Sequence, residues 1–224
     1  MTTATTAAST SVRRVTGPAQ PATRQRNPRG QGERLREEIV RAAALLLDET
    51  GSSEAVTLRA VARRAGISAP SIYRHFPDPQ AILLAIAQEA FASLGRRLVE
   101  AADADRDDPT TRLVAVASAY LSYAREHPSQ YRVMFGGVWT ADLTRGDAIT
   151  EADVSALGRE TLGVLTTCLV DCISAGVSRS TDPDSDVIAL WLGLHGLAHQ
   201  RAAVPHFPWP EGIETRVVAL LASL

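Results

Sequence analysis

The chain has 224 residues, enough to bury one or two real cores, and its hydrophobic share of 45% is that of an ordinary globular protein. No apolar run approaches the roughly 20 residues of a membrane-spanning helix, and the opening MTTATTAASTSVRR lacks the apolar core of a secretory signal, so a cytoplasmic protein without membrane attachment is expected. The net charge of −2 hides an asymmetry: residues 1–80 hold 12 Arg against 7 acids, while the remaining 144 hold 11 Arg against 18, the pattern of a DNA-binding front on an acidic body.

Residues 1–31 are rich in Thr, Ala, Pro, Gln and Gly and almost free of large apolar groups. Such a segment cannot offset the entropy of ordering, and a disordered basic arm is expected. Arg13, Arg14, Arg24, Arg26 and Arg29 lie in it, with no acid before Glu33. Two readings fit: an arm that strengthens DNA binding through phosphate contacts, and a passive tail. From Glu33 to Thr50 a helix is expected, with Leu35, Ile39, Ala42, Ala43, Leu46 and Leu47 on its inner face and Gly51 ending it.

The stretch Thr57 to Phe76, TLRAVARRAGISAPSIYRHF, reads as two short helices about a tight turn. Leu58, Val61, Ala62 and Ala65 recur at helical spacing, and Thr57 stands where its hydroxyl can cap the first free N–H groups. Gly66 follows as a left-handed C-cap, and Ser68 offers a second N-cap ahead of Ala69 and Pro70. Ile72 and Phe76 face the first helix, leaving Ala69, Ser71, Tyr73, Arg74 and His75 outward with Arg59, Arg63 and Arg64. Two short helices around a glycine turn form a helix-turn-helix, whose second helix enters the DNA major groove. The alternative is a plain pair of core helices.

This run resembles the DNA-binding signature of the TetR family of bacterial regulators, in the order T…A..AG(I/V)S…(I/L)Y.HF. The resemblance implies a homodimer on a palindromic double-stranded operator, released when a small molecule fills the C-terminal domain. Carried over position by position, it implies that Thr57, Tyr73 and His75 touch phosphates. Ser68, Ala69, Pro70 and Ser71 open the recognition helix and face bases. Arg74 reaches a base or phosphate, and Arg34 touches phosphate from the preceding helix. The family usually places a lysine at the start of the next helix. Here the segment reads Pro77, Asp78, Pro79, Gln80, and the chain has no lysine at all. This departure puts that contact in doubt, with another Arg as the candidate to supply it.

Asp78 caps a long helix that starts at Pro79, carries Ile82, Leu83, Ile86, Ala90, Phe91 and Leu94 on its apolar face, and reaches the body near residue 100. Asp103 to Asp108 reads as a polar loop. Asp108-Pro109 starts a helix to about His127, with Leu113, Val116, Ala117, Tyr120, Leu121 and Ala124 inward. Pro128 begins a short helix, and Gly136, Gly137 and Gly146 mark a loop around Trp139. One long helix is expected from about Thr150 to Ala175, stopped by Gly176. Another runs from the Asp182–Asp186 stretch to Val204-Pro205, and a last one from Ile213 to Leu224.

The expected fold is all-α: a three-helix helix-turn-helix DNA-binding domain over 33–93, with its motif at 57–76, and a helical ligand-binding and dimerisation domain over 94–224. A second resemblance, weaker, is that HPSQYRVMFG at 127–136 and LWLGLHGLA at 190–198 look like the TetR subfamily named for its Trp, His and Gly, here Trp191, His195 and Gly196. Candidate pocket residues are Tyr120, Tyr123, Met134, Phe135, Trp139, Trp191 and His195, large apolar groups with polar tips, against the plainer reading that they fill the core. The helices 150–176 and 184–203 are the expected dimer surface, where Ala156, Gly163, Ala175, Gly193 and Gly196 allow close approach.

His195 and His199, four apart, lack the Glu of the H-E-x-x-H zinc motif, so no metal is expected. Cys168 and Cys172 are read as small buried thiols, with an oxidant sensor as the alternative. No G-x-S-x-G turn accompanies a Ser-His-Asp set, and neither enzyme nor cofactor is expected. A small-molecule-binding or catalytic α-helical protein with a merely structural helix-turn-helix remains the competing class. Operator, effector and direction of regulation are not written in the sequence.

Overall fold

The computed structural model describes residues 31–104, 107–136, 139–143 and 149–224. The arm with Arg13, Arg14, Arg24, Arg26 and Arg29, and the loop glycines Gly137 and Gly146, lie outside the described residues. Among the described residues the secondary structure is helical throughout, without a strand. The α-helices are α1 (Gln31–Thr50), α2 (Leu58–Arg64), α3 (Ala69–Ile72), α4 (Pro79–Ala104), α5 (Pro109–Glu126), α6 (Pro128–Phe135), α7 (Glu151–Ala156), α8 (Arg159–Ser174), α9 (Pro183–Ala203) and α10 (Ile213–Leu221). A single 3₁₀ turn at Ser53–Ala55 links α1 to α2.

One starting device is used three times. Asp78 accepts from the Ala81 N–H at 2.9 Å, Asp108 from Thr111 at 2.8 Å and Asp182 from Ser185 at 3.2 Å, each followed by a proline inside the first turn. The carboxylate satisfies an orphan N–H, and the proline forfeits nothing because its missing N–H has no helical partner. α7 starts on a full capping box, Thr150 and Asp153 each accepting from the other's backbone N–H.

Two apolar cores organise the helices. The first gathers Ile39, Ala43 and Leu47 of α1, Leu58 and Val61 of α2, Ile72, Phe76, and Ile82, Leu83 and Ile86 of α4. The second gathers Leu94 and Leu98 of α4, Leu113, Val116 and Tyr120 of α5, Leu165, Cys168, Leu169 and Cys172 of α8, Val187, Leu190 and Leu194 of α9, and Val218 of α10. α4 therefore runs as an unbroken spine through both. Val133 of α6 is the one element beyond α4 that the first core buries from the other half of the chain, among the described residues.

Three expectations are corrected. Asp103 belongs to the last turn of α4, not to a loop. The final helix stops at Leu221. The single helix expected over 150–175 is two, because Gly158 takes a left-handed φ of +74° and Leu157 is extended. The Phe91 ring sits where a side chain at 158 would begin, 2.7 Å from an ideal Cβ, so only glycine lets α4 approach the break so closely.

Candidate nucleic-acid interface and adjoining cavity

The helix-turn-helix is built as its pattern requires. The Thr57 hydroxyl accepts from the Ala60 N–H at 3.2 Å and caps α2. Gly66 closes it at φ +66°, and the Ile67 N–H reaches back to the Ala62 carbonyl at 2.9 Å. Ser68 stands at the N-cap of α3, but its side chain does not cap: Oγ pairs with the Ser71 hydroxyl at 2.7 Å. Ile72 and Phe76 are buried beneath, and this anchors the short helix.

The outward face holds the expected groups. Ser68, Pro70, Tyr73 and Arg74 are exposed, and Ala69, Ser71 and His75 are half-buried. Arg59, Arg63 and Arg74 are exposed, and none forms an ion pair among the described residues. Arg64 is committed elsewhere: it holds Glu49 of α1 through two 2.7 Å bonds. Arg36 lies over the Phe76 ring at 5.0 Å. Arg34 is exposed and pairs with Glu38, one turn on, at 3.1 Å. At the start of α4, Gln80 offers no cation; its Oε1 accepts from the Trp139 indole N–H at 2.6 Å.

A cavity of ≈ 520 Å³ opens between α4, α5, α6, the α7–α8 break and α9. Tyr120, Met134, Phe135 and Trp191 line it as expected. Three other candidates do not. The Tyr123 hydroxyl lies 3.1 Å from the Ala90 carbonyl and 2.7 Å from Gln130 Oε1, tying α5 to α4 and α6. Trp139 packs on the first core. His195 stands behind Tyr131, whose hydroxyl is 2.7 Å from His195 Nδ1 and 3.0 Å from the Tyr120 hydroxyl. Sequence reasoning missed Phe91, Leu157, Arg159, Leu162 and Ile188, which form much of the rest of the wall. Leu157 and Arg159 flank the Gly158 break, and a continuous helix would have aimed them elsewhere.

Burial pushes Tyr120 up to about 12, so it stays protonated and serves as donor and acceptor. Burial, with His199 nearby, holds His195 below the ordinary imidazole range, so the ring is neutral at pH 7. Cys168 and Cys172 are buried in the second core, and burial pushes Cys168 up to about 11, away from the thiolate that oxidants attack. No group of three or more His, Cys, Asp or Glu that could hold a metal occurs among the described residues, and no helix among them is long and apolar enough to cross a membrane. On the expected dimer surface, Ala156, Gly163, Ala175 and Gly196 are exposed. Gly193 is not available there: Leu221 and Val217 of α10 close over it within the same chain.

Residues 39–86 match the family model described as bacterial regulatory proteins, tetR family, and residues 113–224, half the chain, match that of the tetracyclin repressor-like C-terminal domain. The nucleoid occlusion factor SlmA of Photobacterium profundum is 32% identical over 101 residues, 45% of this chain and 51% of that protein, so the chain spans about half the length of the curated relatives it matches. A protein of unknown function from Rhodococcus sp. RHA1 superposes with a TM-score of 0.67 at 24% identity, over 84% of this chain and 91% of that one. The transcriptional regulator FadR of Bacillus subtilis, solved in complex with stearoyl-CoA, gives 0.67 at 16%, over 84% and 97%. With its glycine-turned helix pair, its exposed arginines and both halves matched, the chain belongs to the TetR family of bacterial regulatory proteins.

Proposed function

We propose that this regulator binds a palindromic operator as a homodimer, most simply as a repressor, and lets go when a small molecule fills the cavity beside Tyr120 and Trp191. Residues 33–93 act as the DNA-binding domain and 94–224 as the effector and dimerisation domain. The observation that carries the reading is the helix pair: buried Ile72 and Phe76 hold α3 in place while Ser68, Pro70, Tyr73 and Arg74 stay free for DNA. Arg34, Thr57, Ala69, Ser71 and His75 complete the contact set. A two-fold dimer sets the recognition helices roughly 34–36 Å apart, one DNA turn. Release is a population shift: effector and operator favour different conformers and weaken each other by the same coupling energy, typically ~1–3 kcal/mol. FadR of Bacillus subtilis, with the same fold, holds stearoyl-CoA, which supports a ligand role for the helical half here. An oxidant-sensing variant finds no support, because both thiols are buried.

The test is a salt-series titration of the full chain with the DNA upstream of its own gene and with a random duplex. Tight binding with a large specificity ratio is expected. Equal, weak and steeply salt-dependent binding to both would leave only phosphate attraction by the arginines.

A further inference from the structure

We infer that the effector is an apolar molecule with a single carboxylate-type head, and that Arg159 at the cavity mouth selects it; this rests on the effector reading above. The wall is apolar: Phe91, Met134, Phe135, Leu162, Ile188 and Trp191 face the space. Its polar groups are already matched. The Tyr120 hydroxyl meets Tyr131 at 3.0 Å, Thr161 donates to the Phe91 carbonyl at 3.2 Å, and Ser155 to the Ala152 carbonyl at 3.1 Å. Arg159 is different. It is the one charged residue of the lining, no carboxylate lies within ion-pair distance of it among the described residues, and its guanidinium donates only to the Ser155 carbonyl, at 3.3 Å. Arg159 is exposed at the mouth, and a guanidinium there, bonded to the protein only at the Ser155 carbonyl, can grip a planar carboxylate through two parallel bonds while the tail lies on the apolar wall.

The number of charges on the head follows from what lies outside. Phe91, Leu157, Gly158, Arg159 and Thr161 also line a second, outer groove of ≈ 690 Å³ between α4 and α7–α8. That groove adds Arg96 but also Glu100, Asp153 and Glu160. A head reaching past Arg159 with several negative charges would meet three carboxylates against one further cation. A compact, singly charged head stops at Arg159 and avoids them. The tail then lies toward Tyr120, and the volume suits a medium-length chain or a small ring system.

Isothermal titration of the full chain at pH 7.5 with decanoate, decanol and decanoyl-CoA, all below their micelle or solubility limits, separates the outcomes. Decanoate is expected to bind about tenfold tighter than decanol and tighter than decanoyl-CoA. R159Q and R159M, the second keeping more of the apolar stem, should each bring decanoate down to the decanol level, and R159K should keep only part of the preference, because an ammonium supplies the charge without the two parallel bonds. Retained decanol binding by these variants reports an intact cavity. Equal binding of decanoate and decanol by the wild type, a preference that survives in R159Q or R159M, or decanoyl-CoA binding tightest would overturn the inference and leave the effector reading standing. Binding of none of the three would also overturn the inference, while the effector reading is tested separately by ligands that release the operator complex.

Discussion

Tyr73 is 58% exposed, yet its neighbour Ile72 is fully buried, so the recognition helix holds the ring out from a fixed base. That arrangement separates contact from stability. Tyr73→Ala should weaken operator binding by about tenfold, the worth of one charge-assisted bond to phosphate, with the melting temperature unchanged. Filter binding beside a thermal melt checks both, and an unaltered operator affinity would remove Tyr73 from the interface. A second residue-scale prediction concerns His195. Its imidazole is held neutral by burial, so its folded pKa lies below the ordinary value of ~6.5 and the unfolded chain takes up the proton first. The stability tied to the neutral ring is fully present above that pH and is lost as pH falls below it. His195→Asn, with an amide in place of Nδ1, should lose less stability than the wild type between pH 7.5 and pH 5.5 in urea unfolding. Equal losses would show that the ring does not couple to folding.

Among the elements, the α7–α8 break carries the most information. At Gly158 an alanine would need the left-handed conformation and would collide with the Phe91 ring, so Gly158→Ala should destabilise the fold by about 2 kcal/mol or more. Urea unfolding measures it directly, and a neutral result would mean that α4 and α8 shift apart at no cost. The break also shows what the sequence conceals. The Asp-Pro starts of α4, α5 and α9 are legible because capping is local chemistry, written in two adjacent residues. The helix-turn-helix is legible for the same reason, with Thr57, Gly66 and the apolar spacing all within one short run. Gly158 is not, because glycine inside an apolar helical pattern reads as tolerated until the ring of Phe91, 67 positions earlier, is known to press on it. The cavity suffers likewise. Composition identified aromatic groups, but only packing decides that Tyr120 and Trp191 face the space while Tyr123 ties helices together and Trp139 leaves for the other core.

On the scale of the whole molecule, the question is how the cavity reaches the DNA-binding surface. α4 is the obvious route, since it passes through both cores. α6 is a second. Its Met134 and Phe135 line the cavity, and its Val133 is buried in the first core. Trp139 donates to Gln80 at 2.6 Å, at the first turn of α4, where the family's lysine would stand. Under the effector reading proposed above, a ligand that displaces Phe135 is expected to act on the start of α4 through the Trp139–Gln80 hydrogen bond. Trp139→Phe keeps the ring against the first core and removes only the N–H. It should leave operator affinity within about twofold, while the effector's weakening of operator binding falls by about tenfold, a large share of a typical ~1–3 kcal/mol coupling. Gln80→Leu should do the same, and the double variant should add nothing further, as expected when two changes break one interaction. Operator titrations with and without saturating effector, across the four proteins, give the cycle. Undiminished coupling in Trp139→Phe would assign transmission to α4 alone, and additive losses would mean that Trp139 and Gln80 act through separate contacts.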